Sequence, residues 1–265
     1  MNSSNGIYSD TNQLSTPIDL GFVDYGGTPA INYFDNAREH YVTRSDEFHN
    51  FELNYVKTLI GNPCGGGCNF GGCGTCDAGC GGFSPVTVQF LTGFRYINFN
   101  DSITFGSSQQ GFGVDPATDA YLGSAVQNNL YGWQIGAMFQ HNVTCNFSWF
   151  VTPKVGVFAN TVDFCASSVT GDGVQGNFTS TGNNFFLTAQ KTDFAVVGQI
   201  DLGVNYRIGK HWSITGGYRV LGMSGIAIAD EQIPAYLAAE GDWTDLETSS
   251  STIYHGAFAG VQFCW

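Results

Sequence analysis

Residues 194–207 read FAVVGQIDLGVNYR. Phe194, Val196, Ile200, Leu202, Val204 and Tyr206 fall on one side of a two-residue repeat, and Gln199, Asp201, Asn205 and Arg207 on the other. Successive side chains of an extended chain point to opposite faces, so this pattern predicts a strand with one apolar and one polar face. The alternation recurs in six more stretches: His49 to Ile60, Val86 to Asn100, Gln127 to Gln140, Phe147 to Thr161, His211 to Gly222 and Thr252 to Trp265. They run about 11 to 15 residues, where strands of ordinary sheets run about 5 or 6. A tilted strand crosses a bilayer in about 9 to 11 residues.

Composition agrees with many long strands. Charged residues make up 12% of the 265, against about 25% in a typical soluble domain. Aromatics reach 15%, with 36 glycines and only 7 prolines. The chain has no run of about 18 apolar residues, so no transmembrane helix is expected. Its mean hydropathy of -0.04 is what alternating strands average to. The net charge of -13, with nine Lys and Arg, excludes nucleic acid as a partner, because phosphate neutralisation needs cations. Metal cations or basic surfaces are the electrostatic partners left.

Glu52, Arg95, Lys154, Asp201, Arg207 and Arg219 all lie on polar faces, while the opposite faces are nearly free of charge and carry Trp, Tyr and Phe near strand ends. Both signs inside a small barrel can pair, and aromatic ends suit the girdles of a membrane barrel. The link HNVTCN and the turn Ile208-Gly209-Lys210 are short, whereas segments near 101–126, 162–193 and 223–251 are long. Short turns on one side and long loops on the other are the outer-membrane pattern. The expected fold is therefore all-β: a closed up-and-down antiparallel transmembrane β-barrel of about 8 strands, alternatively 10 to 12, with long acidic extracellular loops. Residues 48–265 form the barrel, with residues 61–85 as a Cys- and Gly-rich periplasmic loop; residues 1–47 form an N-terminal segment with room for one strand, within Ile18 to Phe34. The stretch MNSSNGIYSDTNQ lacks the basic start and apolar run of an export signal. Since export needs one, the chain is expected to be trimmed or to start too far downstream. A soluble lipocalin-like barrel is the alternative, with its apolar face lining a ligand cavity.

The segments Gly93-Phe94-Arg95-Tyr96, Thr152 to Val157 and Gly216 to Leu221 resemble the porin-like outer-membrane β-barrel proteins numerous in planctomycetes. Val261, Phe263 and Trp265 look like the terminal signal read by the barrel-assembly machinery. The resemblance covers roughly residues 48–265. It implies a barrel in the bacterial outer membrane, with membrane lipid and the assembly machinery as partners, and supplies no substrate.

Cysteines follow the spacing Cys64-x3-Cys68-x4-Cys73-x2-Cys76-x3-Cys80, and Cys145 and Cys264 are expected at the same rim. Disulfides are the first reading in an oxidising compartment. Zinc through Cys73 and Cys76 is the sharper one, although no second CxxC follows. Acidic residues fill the long segments, among them Asp101, Asp119, Asp163, Asp172, Asp230, Asp242 and Glu247. Either they bind calcium, or they keep a surface solvated and repulsive; no EF-type spacing favours calcium. No GxSxG, HExxH or phosphate loop occurs, and the five histidines are scattered. His255, Ser251 and a loop Asp form only the kind of triple that chance supplies. The chain therefore reads as a non-enzymatic, structural or adhesive barrel with a lumen filled by paired polar side chains, whose partners are other envelope proteins or itself. A narrow channel for small solutes is the alternative.

Overall fold

The computed structural model describes residues 2–16, 18, 20–61, 85–144, 146–208, 212–233 and 245–263. In chain order these form β1 (Asn2–Tyr8), β2 (Val23–Tyr25), β3 (Thr28–Pro29), a one-turn helix α1 (Ile31–Phe34), β4 (Glu39–Ile60), β5 (Val86–Ser108), β6 (Asp119–Asn142), β7 (Phe147–Thr170), β8 (Asn177–Phe178), β9 (Phe186–Ile208), β10 (Trp212–Ile226) and β11 (Ser250–Phe263). Eight strands make one antiparallel sheet in the order β1-β4-β5-β6-β7-β9-β10-β11, and β3-β2-β8 make a small second sheet. The fold is all-β, as the alternation predicted.

Two expectations are corrected. The five central strands run 22 to 24 residues, about twice the predicted length, because the segments read as loops near 101–126 and 162–193 are largely strand. Asp101, Asp119 and Asp163 sit on strands accordingly. And the strand that pairs β4 on its outer side is Asn2–Tyr8, whereas Ile18 to Phe34 folds as β2, β3 and α1.

The two halves of each long strand carry opposite patterns of polarity. His49, Asn98, Asn129, Thr161 and Thr192 pair in line across β4, β5, β6, β7 and β9, and their shared parity turns them all outward. Two residues on, the row Phe51, Tyr96, Tyr131, Ala159 and Phe194 is also in line and is aromatic or apolar throughout. From there to the base, the end with the short turns, outward positions are mostly apolar and exposed: Leu53 at 66%, with Trp133, Ile135, Val155, Val157, Ile200 and Leu202 beside it. Inward positions of the same half are polar and buried, such as Thr87, Gln89, Gln134, Thr152, Gln199 and Asn205. Toward the opposite end, the mouth, the polarity reverses. Outward positions become Ser45, Glu47, Asn100, Ser102, Gln127, Asp163, Thr188 and Gln190, and inward ones Phe99, Leu122, Val126, Val162, Phe164 and Leu187, which form apolar cores.

The N-terminal segment fills this apolar mouth. Leu20, Phe22, Val23, Tyr25, Ala30 and Phe34 pack among Leu122, Val126, Val162, Phe164 and Leu187, and the Phe34 ring stacks on Phe105 at 5.5 Å. Each fully buried large apolar side chain, such as Leu20 or Phe34, contributes about 1.5–3 kcal/mol. The start of the β10–β11 connection enters the same space. The Asn128 side chain donates to Ala227 O at 2.9 Å and accepts from Ala227 N at 2.8 Å, while Ala229 N donates to Asp101 at 2.9 Å.

Candidate functional site

Below the plugged mouth, the inward polar faces converge on one ionic network. Arg95 on β5 is 1% exposed, so its guanidinium needs partners on every side. Its Nε donates to Asn50 Oδ1 at 2.9 Å, its Nη1 to Gln134 Oε1 at 3.2 Å, and its Nη2 lies 3.5 Å from Glu52 Oε1. Glu52 on β4 accepts at Oε2 from Lys154 Nζ at 2.9 Å, Gln134 Nε2 at 2.9 Å and Asn54 Nδ2 at 3.0 Å. Lys154 on β7 also stands 3.8 Å from Asp201 on β9. Asp201 accepts a two-pronged pair of bonds from Arg219 on β10, at 2.7 and 3.0 Å, and both its oxygens accept from Gln199 Nε2 at 2.9 Å. The Arg219 guanidinium lies over the Phe258 ring of β11 at 5.4 Å. The network thus reaches from β4 to β11 across the curled sheet.

Five of the six charged residues predicted for the lumen are brought together here. Arg207 shares their face of β9 nearer the base, opposite Ser213. Sequence reading missed Gln134, the amide that bridges Arg95 to Glu52, because a lone Gln on a polar face gives no signal. Space is tight at this level: a Cβ on Gly203 would come within 2.6 Å of the Phe150 ring and 2.7 Å of Gly216 O. Glycine is therefore required where the ring crosses the interior.

A second ion pair, also missed, lies nearer the mouth. Arg44 grips Asp101 through Nε and Nη2 at 3.0 and 2.8 Å and reaches Asp230 at 3.2 Å. In the plug, Tyr25 shares a 2.5 Å hydrogen bond with Ser168 Oγ, and burial pushes its phenol up to about 12. His40 donates from Nε2 to Phe34 O at 3.0 Å, and burial holds its imidazole below the usual range. An open concavity of about 860 Å³ is lined by Glu47, Asn100, Gln127, Asp163, Thr188 and Gln190, outward residues of the mouth half.

Cys64, Cys68, Cys73, Cys76, Cys80, Cys145 and Cys264 lie outside the described residues, as does Trp265. Cys165 is a free, half-buried thiol on the outward face of β7, and burial raises its pKa. Val261 and Phe263 face outward on β11, with Phe263 packed on Trp212 at 4.7 Å. His255 pairs with the Tyr218 hydroxyl on the neighbouring strand. Among the described residues no three His, Cys, Asp or Glu side chains converge to hold a metal.

A long antiparallel up-and-down sheet with a polar inner face and an apolar outer face in its base half is the strand arrangement of a porin-like β-barrel protein; among the described residues no ladder joins its first and last strands. The chain belongs to the beta barrel porin-7 family: the family model described as "Putative beta barrel porin-7 (BBP7)" matches residues 64–248, more than half of its length. This bears out the porin-like resemblance. No curated protein and no solved structure matches the chain.

Proposed function

We propose that this chain is a non-enzymatic outer-membrane β-barrel, its sheet closed around a lumen blocked at two levels, with a structural or surface-binding role. The observation that carries the reading is the filled interior: the plug of residues 20–34 occupies the mouth, and the Glu52–Arg95–Lys154–Asp201–Arg219 network crosses the waist. The apolar outer band supports the bilayer setting. On β5 it runs from Val86 to Tyr96, and on β6 from Tyr131 toward His141, which suits the ~9–11 residues of a tilted crossing strand. The mouth halves then stand clear of the membrane, and their polar concave face is a surface for envelope partners or a second copy of the chain. The Cys-rich segment between β4 and β5 follows the base end of β4, where disulfides or zinc would tether the protein on the periplasmic side.

Planar-bilayer recording tests this. Purified wild-type protein is expected to give no steady single-channel steps, and reproducible steps would overturn the blocked lumen. Family membership favours a second reading, a narrow pore opened when the plug leaves. In that case deletion of residues 13–35 turns a silent protein into a conducting one. A soluble lipocalin-like barrel is disfavoured by the polar inner face of the base half, and it predicts folding without detergent.

A further inference from the structure

We infer, resting on the surface-binding role proposed above, that the outward polar face of the mouth half binds a neutral, extended glycan laid across the strands. The concavity of about 860 Å³ is lined by two complete rows of outward side chains. Glu47, Asn100, Gln127, Asp163 and Gln190 pair in line across β4, β5, β6, β7 and β9. Two residues nearer the mouth, Ser45, Ser102, Ala125, Cys165 and Thr188 do the same. The hollow is therefore a trough running across the strands. Five strands at ~4.8 Å spacing make it about 19 Å long, and rows two residues apart lie about 7 Å from each other. Its volume falls in the range of about 300–1,000 Å³ found for ligand sites. One row is small throughout and leaves the room; the other is mostly long and polar, and borders it.

Side-chain chemistry selects the occupant. An amide donates and accepts, a carboxylate accepts through two oxygens, and a hydroxyl does both, so the long row offers partners for sugar hydroxyls at one per strand. A pyranose in an extended β-1,4-linked chain advances by about the spacing between strands, so successive rings keep step with successive side chains. Asn100 Oδ1 is buried without a hydrogen-bond partner among the described residues, and Gln190 Nε2 donates to Asp163 Oδ1 at 2.7 Å. One acceptor is thus open, and one carboxylate is held in place. None of the ten side chains is a Lys or Arg, the groups that phosphates recruit, which sets aside anionic saccharides and lipid headgroups. None is aromatic or large and apolar, whereas a protein interface is anchored on such residues.

The test titrates the full chain in micelles by calorimetry with four probes. Cellohexaose and β-1,4-mannohexaose are neutral and extended, isomaltohexaose is neutral but α-linked and flexible, and a heparin hexasaccharide is anionic. At least one of the first two is expected to bind saturably, and the last two at least about tenfold more weakly. Gln127→Ala removes a rung and Ser102→Tyr fills the floor; each is expected to weaken the extended probe at least about tenfold with the urea-unfolding midpoint unchanged, since both positions face outward. Saturable binding of neither extended probe, binding that survives both substitutions, or equal or tighter binding of isomaltohexaose or heparin overturns the proposal, and the wild-type titrations decide without the variants. A wild-type dimer in micelles that Ser102→Tyr dissociates overturns it too, since the trough would then seat a second copy. Steady single-channel currents or folding without detergent would sink the reading above and leave the titrations standing.

Discussion

Replacing Glu52 with glutamine keeps the shape of the side chain and deletes the charge that holds two cations in the lumen. The carboxylate lies 2.9 Å from Lys154 Nζ and 3.5 Å from the Arg95 guanidinium, and the three side chains are 14%, 10% and 2% exposed. With an effective dielectric of about 20, these contacts are worth gross attractions of about 6 and 5 kcal/mol. Desolvation of three ions offsets most of that in the intact network. Removing one partner is different, because it leaves the others buried and uncompensated, at a cost of about 3–5 kcal/mol. Whichever way the glutamine amide is turned, its N–H₂ meets donors from which Glu52 now accepts, either Gln134 and Asn54 or Asn50 and Arg95. Glu52→Gln is therefore expected to lose about 3–5 kcal/mol in urea unfolding in micelles, followed by tryptophan fluorescence. The double variant Glu52→Gln/Lys154→Gln removes a cation with the carboxylate and is expected to lose less than the single one. A loss under about 1 kcal/mol for Glu52→Gln, with strictly additive effects in the pair, would refute the reasoning.

Three further outcomes follow from the geometry. Ile135→Arg puts a charge on the outward apolar band of β6 and is expected to cost about 2–4 kcal/mol, whereas Gln127→Arg, outward on the same strand beyond the switch row, stays within about 0.5 kcal/mol; equal costs in the same unfolding assay would erase the boundary between the two surroundings. Tyr25→Phe removes the hydrogen bond to Ser168 and is expected to cost about 0.5–1.5 kcal/mol. Because the docked phenol titrates at about 12 and a free one at about 10, its neutral form stabilises the plug fully below pH ~10 and loses that effect as pH rises toward ~12. Phenolate absorbance that is complete by pH ~10.5 would contradict this. His40 on β4 is held below the usual imidazole range, so it takes up a proton more readily once the plug has left it, and docking weakens as pH falls below ~6.5. Limited proteolysis between Ser9 and Arg38 should therefore be faster at pH ~5 than at ~7.5, and His40→Gln, which keeps a donor for Phe34 O, should remove that difference.

How much of this was legible in the sequence varies along each strand. The base halves were plain because one parity stays apolar: Phe90, Phe94 and Tyr96 on β5 all face out. At Ile97 and Phe99 the apolar residues change to the inward parity. A reading that assumes one surrounding sees the alternation end near Asn100, although the strand continues to Ser108. The same change of parity at Phe158, Val162 and Phe164 hid the second half of β7 inside an expected loop. The network residues were legible because each places a charge on a face otherwise made of amides and hydroxyls. The plug was not, since the partners of Phe34 and Tyr25, Phe105 and Ser168, lie far along the chain and leave no local pattern. Arg44 and Asp101 were hidden for the same reason, 57 residues apart.

The change of parity also bears on why the sheet has one register. In a strand with a single apolar face, a slip by one residue turns that face to the opposite side of the sheet, while a slip by two restores it and costs only end pairing. Here a slip by two is also discriminated against. Moving β6 by two positions against β5 would bring Asn129 opposite Tyr96, or Tyr131 opposite Asn98, in place of the Tyr96–Tyr131 stack at 4.8 Å and the Asn98–Asn129 hydrogen bond at 3.0 Å. It would also carry an amide into the apolar band or a ring out of it. The row at which the outer face switches therefore works as a register mark repeated on five strands. It fixes where the apolar outer band ends on each strand by the same contacts that pin each strand to its neighbour.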